Sequence, residues 1–203
     1  MTKKTLLRFV NTSQDMGRSN IVFFQKNGAD KAGKCIAWQV VRECGYGNSF
    51  PITYTWITEV NMVDWNCNYS PRQLAAAGST FNIIPKLGGK SLSAIQSKNN
   101  FGAIEVQNCL AKGALHVNIY RSGFLVAQRK NVIPGQLIKF DLAHRLCIAM
   151  IPDIKEGDVI PENILPKQPA EFSLLGIERA DICMTGGSDS TALRFALAGI
   201  NAY

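Results

Sequence analysis

Long hydrophobic runs are missing from this chain, and so are most signatures of catalysis. No stretch of about 18 apolar residues occurs, so no helix is long and greasy enough to span a bilayer. An export signal is not expected either. Met1 to Val10 carries two lysines, but Arg8 interrupts the apolar run and Asn11-Thr12-Ser13 ends it, which leaves it too short for a signal core. The expectation is a cytoplasmic protein, or one exported without a cleaved signal, and not a transmembrane one. Charge is sparse at 18%, yet hydrophobic residues reach 46%, which argues against a disordered chain. The six cysteines (Cys35, Cys44, Cys67, Cys109, Cys147, Cys183) contain no Cys-x-x-Cys pair. With no signal peptide, that spacing predicts reduced, mostly buried thiols rather than a disulfide such as Cys35 with Cys44.

Catalytic and ligand-binding signatures are equally scarce. Only His116 and His144 could supply imidazole. A metal site built on them would need Asp141 or Glu105 close by, and a lone strand histidine is more often a satisfied surface residue. No Gly-x-Ser-x-Gly elbow offers a nucleophile. Gly45-Tyr46-Gly47-Asn48-Ser49 is glycine-rich but lacks the following Lys-Ser/Thr of a phosphate loop. Thr185-Gly186-Gly187-Ser188-Asp189-Ser190 resembles the pyrophosphate-binding loop of the ATP pyrophosphatases at five of six positions. That family places the loop near the start of a parallel α/β domain, whereas thirteen residues follow it here. A glycine turn between the last two strands is the expectation. No catalytic, cofactor-binding or metal residue is assigned, and the chain leans away from an enzyme.

What is present reads as strands. Leu115 to Tyr120 alternates apolar and polar, the period of a half-buried strand. Ser122-Gly123 suits a tight hairpin and Phe124 to Gln128 returns. Ile133-Pro134-Gly135-Gln136 has turn chemistry, with Pro second and Gly third. Leu137 to Leu142 and Leu146 to Met150 complete an expected antiparallel meander up to Ile151. Further strands are expected at Thr5–Val10, Ile21–Phe24 (an unbroken apolar run, hence covered on both faces), Cys35–Val41, Pro51–Val60, Ser79–Pro85 and Phe101–Leu110. Arg72–Ala77 reads as one helical turn, and Lys86–Asn100 as a long exposed loop. Pro152, Pro161, Pro166 and Pro169 mark residues 152–169 as a connection or edge, since proline cannot donate to a central ladder. Phe172–Ile177, Ala180–Thr185 and the alternation Leu193, Phe195, Leu197 close the series. The fold class is all-β: an antiparallel sandwich or jelly roll, one domain over 1–203 with little helix. The look resembles that of small bacterial or viral all-β proteins, such as jelly-roll subunits or aegerolysin-like membrane binders; this is an analogy of fold.

Two features bear on function. Residues 1–149 hold 18 Lys+Arg against 7 Asp+Glu, +11, while residues 150–203 hold 4 against 8, −4. Such a split can draw one copy toward another. With strand-like Leu193, Phe195 and Leu197 as an assembly strand, the expectation is a structural subunit whose partner is itself, as a homo-oligomer or filament. The second feature is an aromatic contact surface expected at Tyr54, Trp56, Trp65 and Tyr69, which suits a membrane- or glycan-binding module on anionic lipid or sugar. An enzyme with a dispersed site ranks third. The scattered lysines and arginines argue against nucleic acid.

Overall fold

The computed structural model describes residues 3–14, 20–30, 34–95, 102–188 and 191–203. Among the described residues the chain forms sixteen strands and no helix. In chain order they begin with β1 Lys4–Asn11, β2 Ile21–Phe24, β3 Gln39–Val41, β4 Ser49–Thr55, β5 Thr58–Val63 and β6 Gln73–Ala75. Next come β7 Thr80–Lys86, β8 Gly89–Ile95, β9 Ile104–Asn108, β10 Leu115–Arg121 and β11 Phe124–Val132. The last five are β12 Leu137–Phe140, β13 Arg145–Met150, β14 Ala170–Ser173, β15 Ile177–Thr185 and β16 Arg194–Ala202. They make four sheets of four strands, so the protein is all-β and sandwich-type.

The chain divides into two compact units. The first comprises 1–25, 34–56 and 144–203; the second comprises 26–33 and 57–143. The first unit contains the sheets β16-β15-β1-β4 and β14-β13-β2-β3. Phe9 of β1 meets Phe23 of β2 edge to face at 6.0 Å, both fully buried. On β2 all four residues are buried, as an unbroken apolar run requires. The proline-rich segment 152–169 does more than connect. Its Ile154 and Ile160, with Leu165 alongside, pack on Val22, Phe24 and Cys147, and Ile36 bridges Val159. The second unit contains β11-β10-β5-β6 and β12-β9-β7-β8, with Val60, Phe81, Ile83, Val106, Val117 and Ile119 buried at its centre.

Several expectations are corrected. Two ladders are parallel, β1 with β15 and β7 with β9, so two of the four sheets are mixed and the other two are purely antiparallel. The meander holds only at its first hairpin. Ser122 and Gly123 take φ of 51° and 87° and join β10 to β11 as expected for a primed turn. After the Pro134-Gly135 turn, which closes through the bond from Gln136 N–H to Ile133 C=O at 3.1 Å, β12 pairs with β9 and β13 with β2. Turn chemistry fixes a reversal of the chain but not the neighbour it meets. Arg72–Ala77 is not a helical turn. Six residues cannot nucleate a helix alone, and β6 instead pairs with β5, where Thr58 Oγ1 also donates to Ala75 C=O at 2.8 Å. Of the expected loop 86–100, residues 89–95 form β8, paired with β7 around the tip Leu87-Gly88; residues 96–100 lie outside the described set. Leu92, 3% exposed, anchors this strand, whose polar face hid it from a search for apolar runs. The expected strand 51–60 is two, because the chain turns at Trp56-Ile57, leaving β4 on β1 and β5 on β10.

Candidate functional site

Three places collect polar chemistry. The first lies in the first unit, where β4 ends. Trp56 N–H donates to Lys3 C=O at 3.0 Å, and its indole stacks on His144 with centroids 4.1 Å apart. Tyr54, one residue pair back on β4 and fully buried, brings its hydroxyl to 3.3 Å from His144 Nδ1. Gln25 Nε2 donates to that hydroxyl at 3.2 Å and to Arg145 C=O at 2.9 Å. The Trp56 indole N–H donates to Thr5 Oγ1 at 3.1 Å, and the Thr5 hydroxyl donates to Ile177 C=O at 2.7 Å. Lys3 Nζ sits 4.3 Å over Trp56 and 4.2 Å over the ring of Tyr203, a cation held between two π faces. Tyr203 in turn donates its hydroxyl to Lys4 C=O. These groups satisfy one another. Tyr54 is closed to solvent, and the cluster ties the ends of β1, β4 and β15 together.

The second place is the mouth of the β15–β16 connection. Thr12, Gln14, Thr185, Gly186, Thr191 and Arg194 help to line a cavity of about 520 Å³. The glycine motif seen in the sequence falls here. Gly186 and Gly187 have φ of 87° and 82°, Gly187 N–H donates to Thr191 C=O at 2.8 Å, and Ser188 and Thr191 hydroxyls meet at 2.5 Å. Asp189 and Ser190 lie outside the described residues. The chain enters this turn from β15 and leaves it in β16, an antiparallel partner. Among the described residues no helix follows it, unlike the strand-to-helix loop that the motif resembles. The glycine turn is what the chain forms.

The third place is one face of the sheet β11-β10-β5-β6. Asn118 of β10 pairs with Asn61 of β5 and Gln128 of β11. Gln128 Nε2 donates to Asn118 Oδ1 at 2.7 Å, and Asn118 Nδ2 donates to the Tyr120 hydroxyl at 3.2 Å. Arg72 lies 3.7 Å over the Tyr120 ring and 3.6 Å from the Glu59 carboxylate. His116 Nδ1 accepts the Asn131 backbone N–H at 3.1 Å, which fixes its proton on Nε2. Sequence reading missed this row, because alternation weighs apolar residues and passes over the polar ones between them.

Of the aromatic residues expected to form a contact surface, Tyr54 and Trp56 lie in the first unit and Trp65 and Tyr69 in the second. Tyr54 is buried and contributes to no such surface: its ring fills core space beside Trp38, 5.9 Å away, as a large amphipathic ring does once its hydroxyl is bonded. Trp56 is half-buried in the same unit. Trp65 and Tyr69 belong to the second unit, on the loop after β5, and are 80% and 66% exposed. Of the assembly strand, Phe195 and Leu197 lie on β16 with Leu193 just before it, all half-buried, and β16 pairs within its own chain on β15. No disulfide joins the six cysteines: Cys35, Cys44 and Cys147 are buried, Cys183 partly, Cys67 and Cys109 exposed. Burial pushes the Cys44 thiol up, the wrong direction for a nucleophile. Among the described residues no group of three or more His, Cys, Asp or Glu side chains could hold a metal ion, and no helix is long and apolar enough to cross a membrane. Compared with family models, with curated proteins and with solved structures, this chain matches none.

Proposed function

We propose that this protein is a non-enzymatic structural subunit that associates with a second copy of itself through β16. The observation that carries this reading is the inequality of the sheet edges. An edge strand presents unpaired N–H and C=O groups, and proteins blunt it by shortness, charge or proline. Among the described residues β3 and β6 are three residues long and β12 and β14 four. Of the longer edges, β4 carries Pro51, β8 carries Lys90, and β11 carries Arg129 and Lys130. β16 runs nine residues, and after Arg194 it reads Phe-Ala-Leu-Ala-Gly-Ile-Asn-Ala, with neither charge nor proline. Its pairing with β15 is irregular only beyond Ala198, where two register shifts fall between Ala198 and Ala202, so Arg194 to Ala198 stays in regular register with Asp181 to Thr185.

Two copies of such a strand can pair antiparallel about a two-fold axis, joining two four-stranded sheets into one of eight. This contact closes on itself. A filament would need β16 to meet a different edge of its neighbour, and Pro51 obstructs β4, the other edge of the same sheet. The dimer is therefore favoured over the filament.

Deletion of β16 is a poor test, because it would strip β15, whose Ile182 and Met184 are buried. The better variant is the double substitution Ala196→Lys and Ala198→Lys. Both side chains are exposed, so the fold is retained, while four ammonium groups face one another across the two-fold axis. Each like-charged cross-strand pair is unfavourable by roughly 0.2–1 kcal/mol. Sedimentation should show a wild-type dimer and a monomeric variant with unchanged circular dichroism. A wild-type chain that stays monomeric at high concentration and low salt refutes the proposal.

A further inference from the structure

The second unit has a feature that β16 does not explain. It holds eleven Lys+Arg against five Asp+Glu, +6, whereas the first unit holds eleven against ten, +1. Nearly all of the chain's excess charge is therefore in the unit that displays Trp65 and Tyr69.

The loop that carries these aromatics is built rather than slack. Asp64 follows β5 directly. Its Oδ1 accepts the backbone N–H of Asn66 at 2.9 Å and of Asn68 at 3.0 Å, and its Oδ2 accepts the Asn68 side-chain amide at 3.2 Å. Two backbone bonds close the same turn, from Cys67 N–H to Asp64 C=O and from Asp64 N–H to Asn68 C=O, each 3.0 Å. Cys67 takes φ of 61° to complete it. Tyr69 then bridges back to Val63. The turn is held by these bonds, yet the two largest side chains of the loop point into water.

A second tip adjoins this one. Lys90 Nζ reaches Asp64 Oδ2 at 3.7 Å, and Lys90 opens the return strand of the β7–β8 hairpin, just past its turn. At that turn Leu87 is 102% exposed, with Lys86 beside it. One end of the unit thus presents a tryptophan, a tyrosine and a leucine among lysines, on two loops tied by an ion pair.

We propose that this end is a docking surface for an anionic lipid bilayer. Tryptophan and tyrosine suit the headgroup boundary, with rings toward the acyl chains and polar atoms in water. Leu87 reaches the acyl region, and Lys86 and Lys90 meet lipid phosphates, with the rest of the +6 unit adding attraction at longer range. Only exposed side chains enter the bilayer, so the sheets behind them need not rearrange. The rigid turn matters because ordering a floppy loop on binding would subtract from the affinity.

The test is flotation of the full chain with vesicles of phosphatidylcholine and phosphatidylserine, and with phosphatidylcholine alone. The wild type should float with the anionic vesicles at low salt. Removing one lysine, Lys86→Gln, should weaken partitioning about fivefold. The pair Trp65→Ser and Leu87→Ser should abolish flotation with circular dichroism unchanged. Brominated acyl chains should quench emission from the wild type but not from Trp65→Phe, which shows that this ring is the inserted one. Two results overturn the proposal. One is a wild type that stays in the dense fraction with anionic vesicles. The other is a double variant, Trp65→Ser with Leu87→Ser, that floats as well as the wild type, which would mean adsorption by charge elsewhere. Failure of β16 pairing would leave these outcomes unaltered, because β16 belongs to the other unit.

Discussion

Gly186→Ala and Gly157→Ala form a matched pair that separates backbone strain from steric collision. Both glycines lie in the first unit, with φ of 87° and 84°. At Gly157 nothing stands within 4 Å of the position a Cβ would take. Alanine there bears only the left-handed conformation, which costs about 1–2 kcal/mol. At Gly186 the added carbon would sit 2.3 Å from the Ala192 carbonyl oxygen and 3.1 Å from its carbon. The colliding atoms are backbone, so no side chain can rotate away. The turn must open, and that loosens the bond from Gly187 N–H to Thr191 C=O. Overpacking of this kind adds about 1–3 kcal/mol, for a total of about 2–5 kcal/mol. Urea unfolding followed by far-UV circular dichroism gives both losses on one scale. Gly186→Ala should lose about twice as much as Gly157→Ala or more. Equal losses would refute the reasoning, because they would mean that the β15–β16 turn yields freely.

Two other perturbations have definite signs. The backbone N–H of Asn68, then its side-chain amide, holds the Asp64 carboxyl below the usual carboxylate range; a lowered pKa gives stability that is present above the unfolded value of about 3.9 and lost as pH falls through the folded one. Acidification below about pH 4 should therefore release the loop and shift Trp65 emission, and Asp64→Asn should remove that transition; emission flat to low pH in the wild type would contradict it. Asn108 is fully buried, donates to Val132 C=O at 2.9 Å and Gly113 C=O at 3.3 Å, and accepts Leu110 N–H at 3.1 Å. Asn108→Ala strands these groups, so thermal and urea unfolding should report a loss of about 2–4 kcal/mol, and a loss below about 1 kcal/mol would show that water replaces the amide.

The amino-acid order determined the class and most of the strands, because burial of one strand face leaves a period of two and tight turns demand Gly, Pro, Asn or Ser. β1, β2, β10 and β11 follow from such local rules. The order also determined that Gly186-Gly187 would turn the chain, since the strand-like alternation continues beyond it. It did not reveal partners. β1 lies beside β15 in a parallel ladder, Leu6 opposite Arg179, and no local rule prefers that pairing to a hairpin. Whether a strand ends at an edge is decided by the same long-range pairing, so the unprotected stretch of β16 could be read as apolar but not as exposed. Trp65 and Trp56 look alike in the sequence. Only the tertiary structure packs one against His144 and, through the three hydrogen bonds that Asp64 accepts from Asn66 and Asn68, holds the other in water. Charge divided in the same way: counted along the chain it split at residue 150, but folding interleaves the segments and gathers +6 into residues 26–33 and 57–143. Sequence periodicity reports which face of a strand avoids water, and only chain closure over many residues decides what that face meets.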